Sequence, residues 1–291
     1  MNAGKGNPKM QKRNAILIYN LPNPVQMDFA VNLNALLPTP AERKNFDRKW
    51  KSFIASDDAN RSIYRKRGNQ LTYQSEQLIP SRTDSRPGLL LVFGNPASHS
   101  VQSGMFFAFK DNGKENRFWK GVLKKSGIFD LPFDSSLSSE ALNMERKDRL
   151  LNLDYKSHFR VGLCVIISMP SAPGGEYGGV AGIQKLIGAN AMKRLEDVER
   201  ERVIQCSSDF LAKDGVVVSF QKNAWNTLKS DEDPPYDINR AKEGKLRGKL
   251  KDYPGIVLFG VPPTRIIGWC RDGLREVLKL IFEIRIEKHY L

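Results

Sequence analysis

The sequence predicts an α/β fold: a three-layer α/β/α arrangement around a central, mainly parallel four-stranded sheet, preceded by an N-terminal, mostly helical extension. Two observations carry this. Four short runs, at 89–93, 161–167, 216–220 and 256–259, are continuously apolar, as in LLLVF and VGLCVII. Strands buried on both faces read this way. Helical patterns lie between or after them, at 116–125, 180–201, 224–229 and 267–290. Strands that alternate with helices pair in parallel, because each helix carries the chain back to the same end of the sheet. In such sheets the ligand crevice lies outside the carboxyl ends of the strands. The segments 94–100, 168–179, 221–223 and 260–265 are therefore where function is expected.

Taken in order, residues 1–14 (MNAGKGNPKMQKRN) form a basic tail that is expected to be disordered. Residues 15–80 mix short apolar runs with proline and charge. Thr39 before Pro40 is a helix start signal and predicts a helix over 40–54. No chemical motif occurs here. Residues 1–80 are read as a basic extension, either an accessory DNA-binding element or a cap that completes the fold, and residues 85–291 as the main domain.

A hydrophobic fraction of 40% over 291 residues is enough to build a core. No run approaches the ~18 apolar residues that span a bilayer, and the N-terminus lacks the apolar stretch of a secretory signal. A cytoplasmic, nucleoid-associated protein is the expectation. Cys164, Cys206 and Cys270 are scattered without a CxxC pair, and His99, His158 and His289 show no metal-ligand spacing. Neither a metal-dependent reaction nor a cofactor is expected. Lysine and arginine exceed the acids by 46 to 32, a net charge of +14, with clusters at 61–67, 110–125 and 239–251. That excess favours a polyanionic partner through phosphate contacts and counterion release. A monomer bound to DNA is the expected assembly.

The strand ends carry a more specific signal. The first run continues as FGNPASHSVQSG, followed by GMFFAF and then by ENRFWKGVLKKSGI. In this order and spacing they resemble the uracil-DNA glycosylase superfamily, and within it the mismatch-specific uracil/thymine branch. That family has a Gly-x-Asn-Pro loop, a Gly-x-x-Phe-Ala segment and an Asn-Arg-Phe-Trp helix. Later segments agree more weakly: VGLCVIISMPS with the second core strand, VVVSFQKNAWNTL with a strand–turn–helix usually written Gly-Lys-x-Ala-Trp/Tyr, and IVLFGVPPTRI with the second, proline-containing motif. The resemblance spans residues 85–291.

The resemblance implies a DNA glycosylase that flips a base into a pocket and hydrolyses its N-glycosidic bond. Asn95 would hold the attacking water. Phe107 would stack on the base, and Ala97 and Val165 would border it. Arg265 would fill the gap left in the duplex, or else contact a phosphate or form a surface salt bridge. Ser98 and Lys222 would contact DNA, and Arg117 would either support the helix under the pocket or reach a phosphate. His99 could meet a phosphate or give a proton to the leaving base. Asn116, Phe118 and Trp119 read as structural, as do Phe106 and Phe109. No lysine for β-elimination stands out, so simple hydrolysis to an abasic site is expected.

Departures bear on the target. The stringent uracil branch has tyrosine where this chain has Ala97, walling off the 5-position of the base. Many relatives read uracil with an asparagine where this chain has Val165. The second motif, Gly260-Val-Pro-Pro-Thr-Arg265, lacks the histidine of that branch. A roomier pocket is implied, suited to a 5-modified pyrimidine such as a hypermodified phage cytosine, which would be antiviral defence. The alternatives are uracil or thymine mismatch repair, and a catalytically silent nucleic-acid-binding protein of the same fold.

Overall fold

The structure, a computed structural model, describes residues 11–13, 15–20, 27–109, 113–134, 136–211 and 215–289. Of the tail expected to be disordered, residues 1–10 and 14 lie outside them, whereas Gln11–Arg13 form a strand, a correction to that expectation. The N-terminal part is a five-stranded antiparallel sheet, a correction to the mostly helical extension expected. Its strands are β1 (Gln11–Arg13), β2 (Leu17–Asn20), β3 (Met27–Asn32), β4 (Tyr64–Arg67) and β5 (Gln70–Ser75), in the order β1-β2-β3-β5-β4. Between β3 and β4 come α1 (Leu33–Leu36), α2 (Pro40–Ala55) and α3 (Asp58–Ile63).

The strands form here because their side chains alternate. Met27, Phe29 and Val31 of β3 are buried, while Asp28 and Asn32 are exposed. Helix α2 begins where Thr39 predicts. The Thr39 hydroxyl accepts from the backbone N–H of Glu42, and the Glu42 carboxylate accepts from that of Thr39, a complete capping box.

The second sheet supplies the rest of the architecture. Strand β6 (Gly88–Phe93) runs into the short α4 (Ser98–Gln102). The helix expected over 116–125 forms, but with π-helical geometry at Trp119–Lys124. Helix α5 (Ser139–Asn152), unexpected from the sequence, precedes β7 (Arg160–Val165). The single helix expected over 180–201 is two, α6 (Gly179–Ile187) and α7 (Ala189–Leu211), which meet at Gly188 (φ 91°). Then come β8 (Val216–Phe220), α8 (Lys222–Leu228), α9 (Ile238–Lys242), β9 (Arg247–Leu250), β10 (Tyr253–Val261) and α10 (Ile267–His289).

The sheet order is β7-β6-β8-β10-β9. The four strands predicted from apolar runs pair in parallel. A fifth, β9, adds antiparallel to β10; it lies in the 239–251 segment that reads as a charge cluster. The sheet is thus a mainly parallel one of five strands rather than four.

Alternate residues of β6 enter two different cores. Leu90 and Val92 pack with α6, α7 and α8, whereas Leu89, Leu91 and Phe93 pack with α10 and the π-helical turn. The first of these cores also contains Leu17, Phe29, Phe53, Tyr64 and Tyr73. The N-terminal sheet and one side of the parallel sheet therefore share a single continuous interior.

Candidate functional site

The strand order reverses at one place. From β6 the chain crosses to β7 on one side, and from β8 it crosses to β10 on the other. The carboxyl ends of β6 and β8 thus flank the point at which open α/β sheets leave a crevice. Asn95 follows β6 there, and Gln221 follows β8.

The Asn95 side chain is fixed by its amide nitrogen. Nδ2 donates to the Met169 carbonyl (3.1 Å) and to Ser171 Oγ (2.9 Å). A carbonyl can only accept, so the NH₂ group must face Met169, and its two protons are then committed. Oδ1 is left as the acceptor. It faces Gly179, where an added Cβ would lie 4.0 Å from it and where φ is +65°. The loop itself is held against the 166–171 segment by backbone bonds: Ile167 N–H to Gly94, Ser171 N–H to Pro96 and Ser98 N–H to Ser171.

Gly94 permits a close approach. A Cβ there would sit 1.7 Å from Gln221 Nε2 and 2.9 Å from Val180 Cγ2. The Gln221 amide thus lies directly on the Asn95 loop. Gln221 itself has φ 106° and ψ 166°, a conformation otherwise close to glycine-only. Sequence reasoning missed this residue in favour of its neighbour Lys222. The available signal was that Gln221 stands where the resembled motif has glycine.

Phe107 is half-buried, and it too has positive φ (48°). Its ring lies 4.2 Å from that of Phe118 and meets Phe93 edge-on at 5.1 Å. Trp119 Nε1 donates to the Phe107 carbonyl at 3.0 Å. Phe106, Phe109, Phe118 and Trp119 are buried, the packing role expected of them.

The structure separates the remaining candidates. Ala97 is half-buried and opens α4, with His99 in its first turn and His99 Nε2 3.4 Å from Ser100 Oγ. Ser98, expected at the DNA surface, is fully buried, and its hydroxyl donates to Asn60 Oδ1 at 2.5 Å. A side chain so placed cannot contact DNA. Val165, expected against the base, is 1% exposed at the end of β7 and packs in the aromatic-side core. It therefore offers the base no surface in this structure.

Arg117, Lys222 and Arg265 are all exposed. The segments carrying the two arginines touch, because a Cβ on Gly121 would lie 3.1 Å from Ile267 Cγ2. Lys222 opens α8, in a depression lined by both cations (Lys193, Arg200) and acids (Glu196, Asp197, Asp231). Among the described residues, no group of three or more His, Cys, Asp or Glu side chains is placed to hold a metal ion. Among them, too, no helix is long and apolar enough to cross a membrane. Comparison with known proteins finds neither a matching family model nor a matching curated protein.

Proposed function

We propose that this chain is a monofunctional DNA glycosylase that hydrolyses the N-glycosidic bond of a flipped pyrimidine carrying a 5-substituent. The observation that carries the reading is the locked carboxamide of Asn95. Its donors are spent on Met169 and Ser171, so Oδ1 is free to accept from a water at the strand-order reversal. A water bound there attacks the anomeric carbon. A C–O bond forms, the bond from carbon to base nitrogen breaks, and the base departs with the electron pair; the proton that the water loses ends on the departing base anion, carried there through solvent.

An amide oxygen is a weak base, so Asn95 orients the water more than it deprotonates it, and the leaving group and pocket bear much of the barrier. Phe107, braced from behind by Phe93 and Phe118, offers a stacking surface worth about 1–3 kcal/mol per base. Ala97 leaves space where a larger side chain would meet a 5-substituent. Gln221 supplies both a donor and an acceptor for a base edge. The exposed Arg117, Lys222 and Arg265 serve phosphates, with Arg265 also able to enter the duplex.

Duplexes containing uracil, mismatched thymine or 5-substituted cytosines, treated with alkali after incubation, reveal abasic sites. Wild type should cleave at least one 5-substituted substrate. Asn95→Ala should slow single-turnover release by about 10²-fold or more, with DNA affinity within a few-fold of wild type. Tight DNA binding without base release from any substrate would identify a silent binding protein instead.

A further inference from the structure

The segment Ser168-Met169-Pro170-Ser171 has two sides. Toward the candidate site, the Met169 carbonyl and the Ser171 hydroxyl hold the Asn95 amide. Away from it, Ser168 and Pro170 are held by the N-terminal sheet. Tyr64 of β4 donates its hydroxyl to the Pro170 carbonyl at 2.6 Å, and Tyr73 of β5 lies 2.7 Å from Ser168 Oγ.

The direction of the second bond follows from proton counting. Ser168 gives its only hydroxyl proton to the Glu199 carboxylate, so Tyr73 must be the donor. Glu199 also accepts from the Ser168 N–H (2.6 Å) and is paired with Arg202 at 2.5 Å. Arg202 in turn donates to the Val165 carbonyl at 2.5 Å and to Gln77 Oε1 at 3.2 Å. All of these side chains are buried. Burial pushes both tyrosine hydroxyls well above their ordinary range, with the Glu199 charge adding to the effect at Tyr73. The two hydroxyls thus keep their protons, and so remain donors. On the far side of the Asn95 loop, Asn60 of α3 accepts from Ser98.

We infer that the N-terminal sheet is part of the site, and that Tyr64 and Tyr73, through the 168–171 segment, are positioning residues for the Asn95 carboxamide. The inference rests on the glycosylase reading only for its consequence in rate. The bonding chain stands on geometry alone. It gives residues 27–80 a role that neither their charge nor their motifs suggest: a brace for a catalytic loop that lies beyond them in the chain.

The test uses full-length protein labelled with ¹⁵N at asparagine, with the Asn95 side-chain signal identified by its disappearance in Asn95→Asp. Exchange of those amide protons with water is measured in Tyr64→Phe, Tyr73→Phe and the double variant. Each substitution keeps the ring and removes one hydroxyl. Tyr19→Phe is the control: its hydroxyl donates to Gln205 at 2.9 Å from the same sheet without touching 168–171.

Exchange at Asn95 should rise about five- to tenfold in the double variant and stay within twofold in Tyr19→Phe. Single-turnover base release should fall in parallel with DNA affinity unchanged. Unaltered Asn95 exchange in the double variant would overturn the inference, as would faster exchange at an unaltered rate of base release. If Asn95 loosens while wild type releases no base from any substrate, the brace stands and the glycosylase reading fails. Should the double variant not fold, the two single variants decide: exchange at Asn95 should rise in each, and unaltered exchange in both would overturn the inference.

Discussion

Gln221 holds a backbone conformation that costs a side-chain-bearing residue about 1–3 kcal/mol. That strain is retained where the amide can reach the crevice. Gln221→Gly should relieve it, less the ~0.5–1 kcal/mol of extra chain entropy that glycine brings. Thermal unfolding should therefore show a net gain of about 1 kcal/mol, while discrimination among pyrimidine substrates should fall. A destabilised variant would show that Gln221 is not under net strain, and unchanged selectivity would show that its amide does not read the base. The position of Asn95 at a strand end beside the strand-order reversal was legible because a buried strand and the Asn-Pro pair after it are local patterns. The burial of Ser98 and Val165 was not legible because a sequence gives adjacency but not the direction of a side chain. Ser98 shares its loop with Asn95 yet turns inward to Asn60.

At the scale of elements, legibility follows how local the cause is. Helix α2 could be placed from Thr39 and Pro40 because capping is settled within four residues. Thr39→Ala should cost about 1 kcal/mol in denaturant unfolding. The loss should shrink in a Glu42→Gln background, where the reciprocal bond and the Arg194 ion pair at 2.5 Å are already altered. The four parallel strands were legible because burial on both faces leaves an unbroken apolar run. Strand β4 was not. Its sequence YRKR reads as a polyanion patch, yet it forms the outer strand of the antiparallel sheet, where exposed cations discourage further strands from adding. Helix α5 was missed for a different reason. Part of its buried face is Arg146, paired with Glu115 at 2.5 Å and lying 4.4 Å and 4.5 Å from the ring centres of Phe109 and Trp119. An arginine gives no apolar signal in a sequence.

For the whole molecule, the shared core sets the terms of stability. Glu76 is buried just after β5, with one carboxyl oxygen lacking a partner, and burial raises its pKa well above the carboxylate range. The folded state therefore binds a proton that the unfolded chain gives up near its ordinary pKa. Its contribution is fully present below that value and is lost as pH rises toward the folded-state pKa. As pH rises above the ordinary carboxylate range, wild-type stability should decline relative to Glu76→Gln, at up to about 1.4 kcal/mol per pH unit until the folded-state group ionises. Parallel slopes in chemical denaturation would refute the assignment. None of this was legible beforehand, since Tyr73 meets Ser168 across 95 residues of chain and no local pattern reports such a contact.

The stretch that leaves β5 also touches the parallel sheet. The backbones of Leu78 and Leu163 exchange both hydrogen bonds, at 2.9 Å and 2.8 Å, in an antiparallel bridge. Strand β7 is otherwise the open margin of that sheet, six residues all buried. At Leu163 that margin is already paired within the chain, so a strand from another molecule cannot pair with it there. The order of synthesis adds a consequence. Because Leu78 precedes β7 in the chain, the residue that pairs with Leu163 has already been synthesised when β7 emerges.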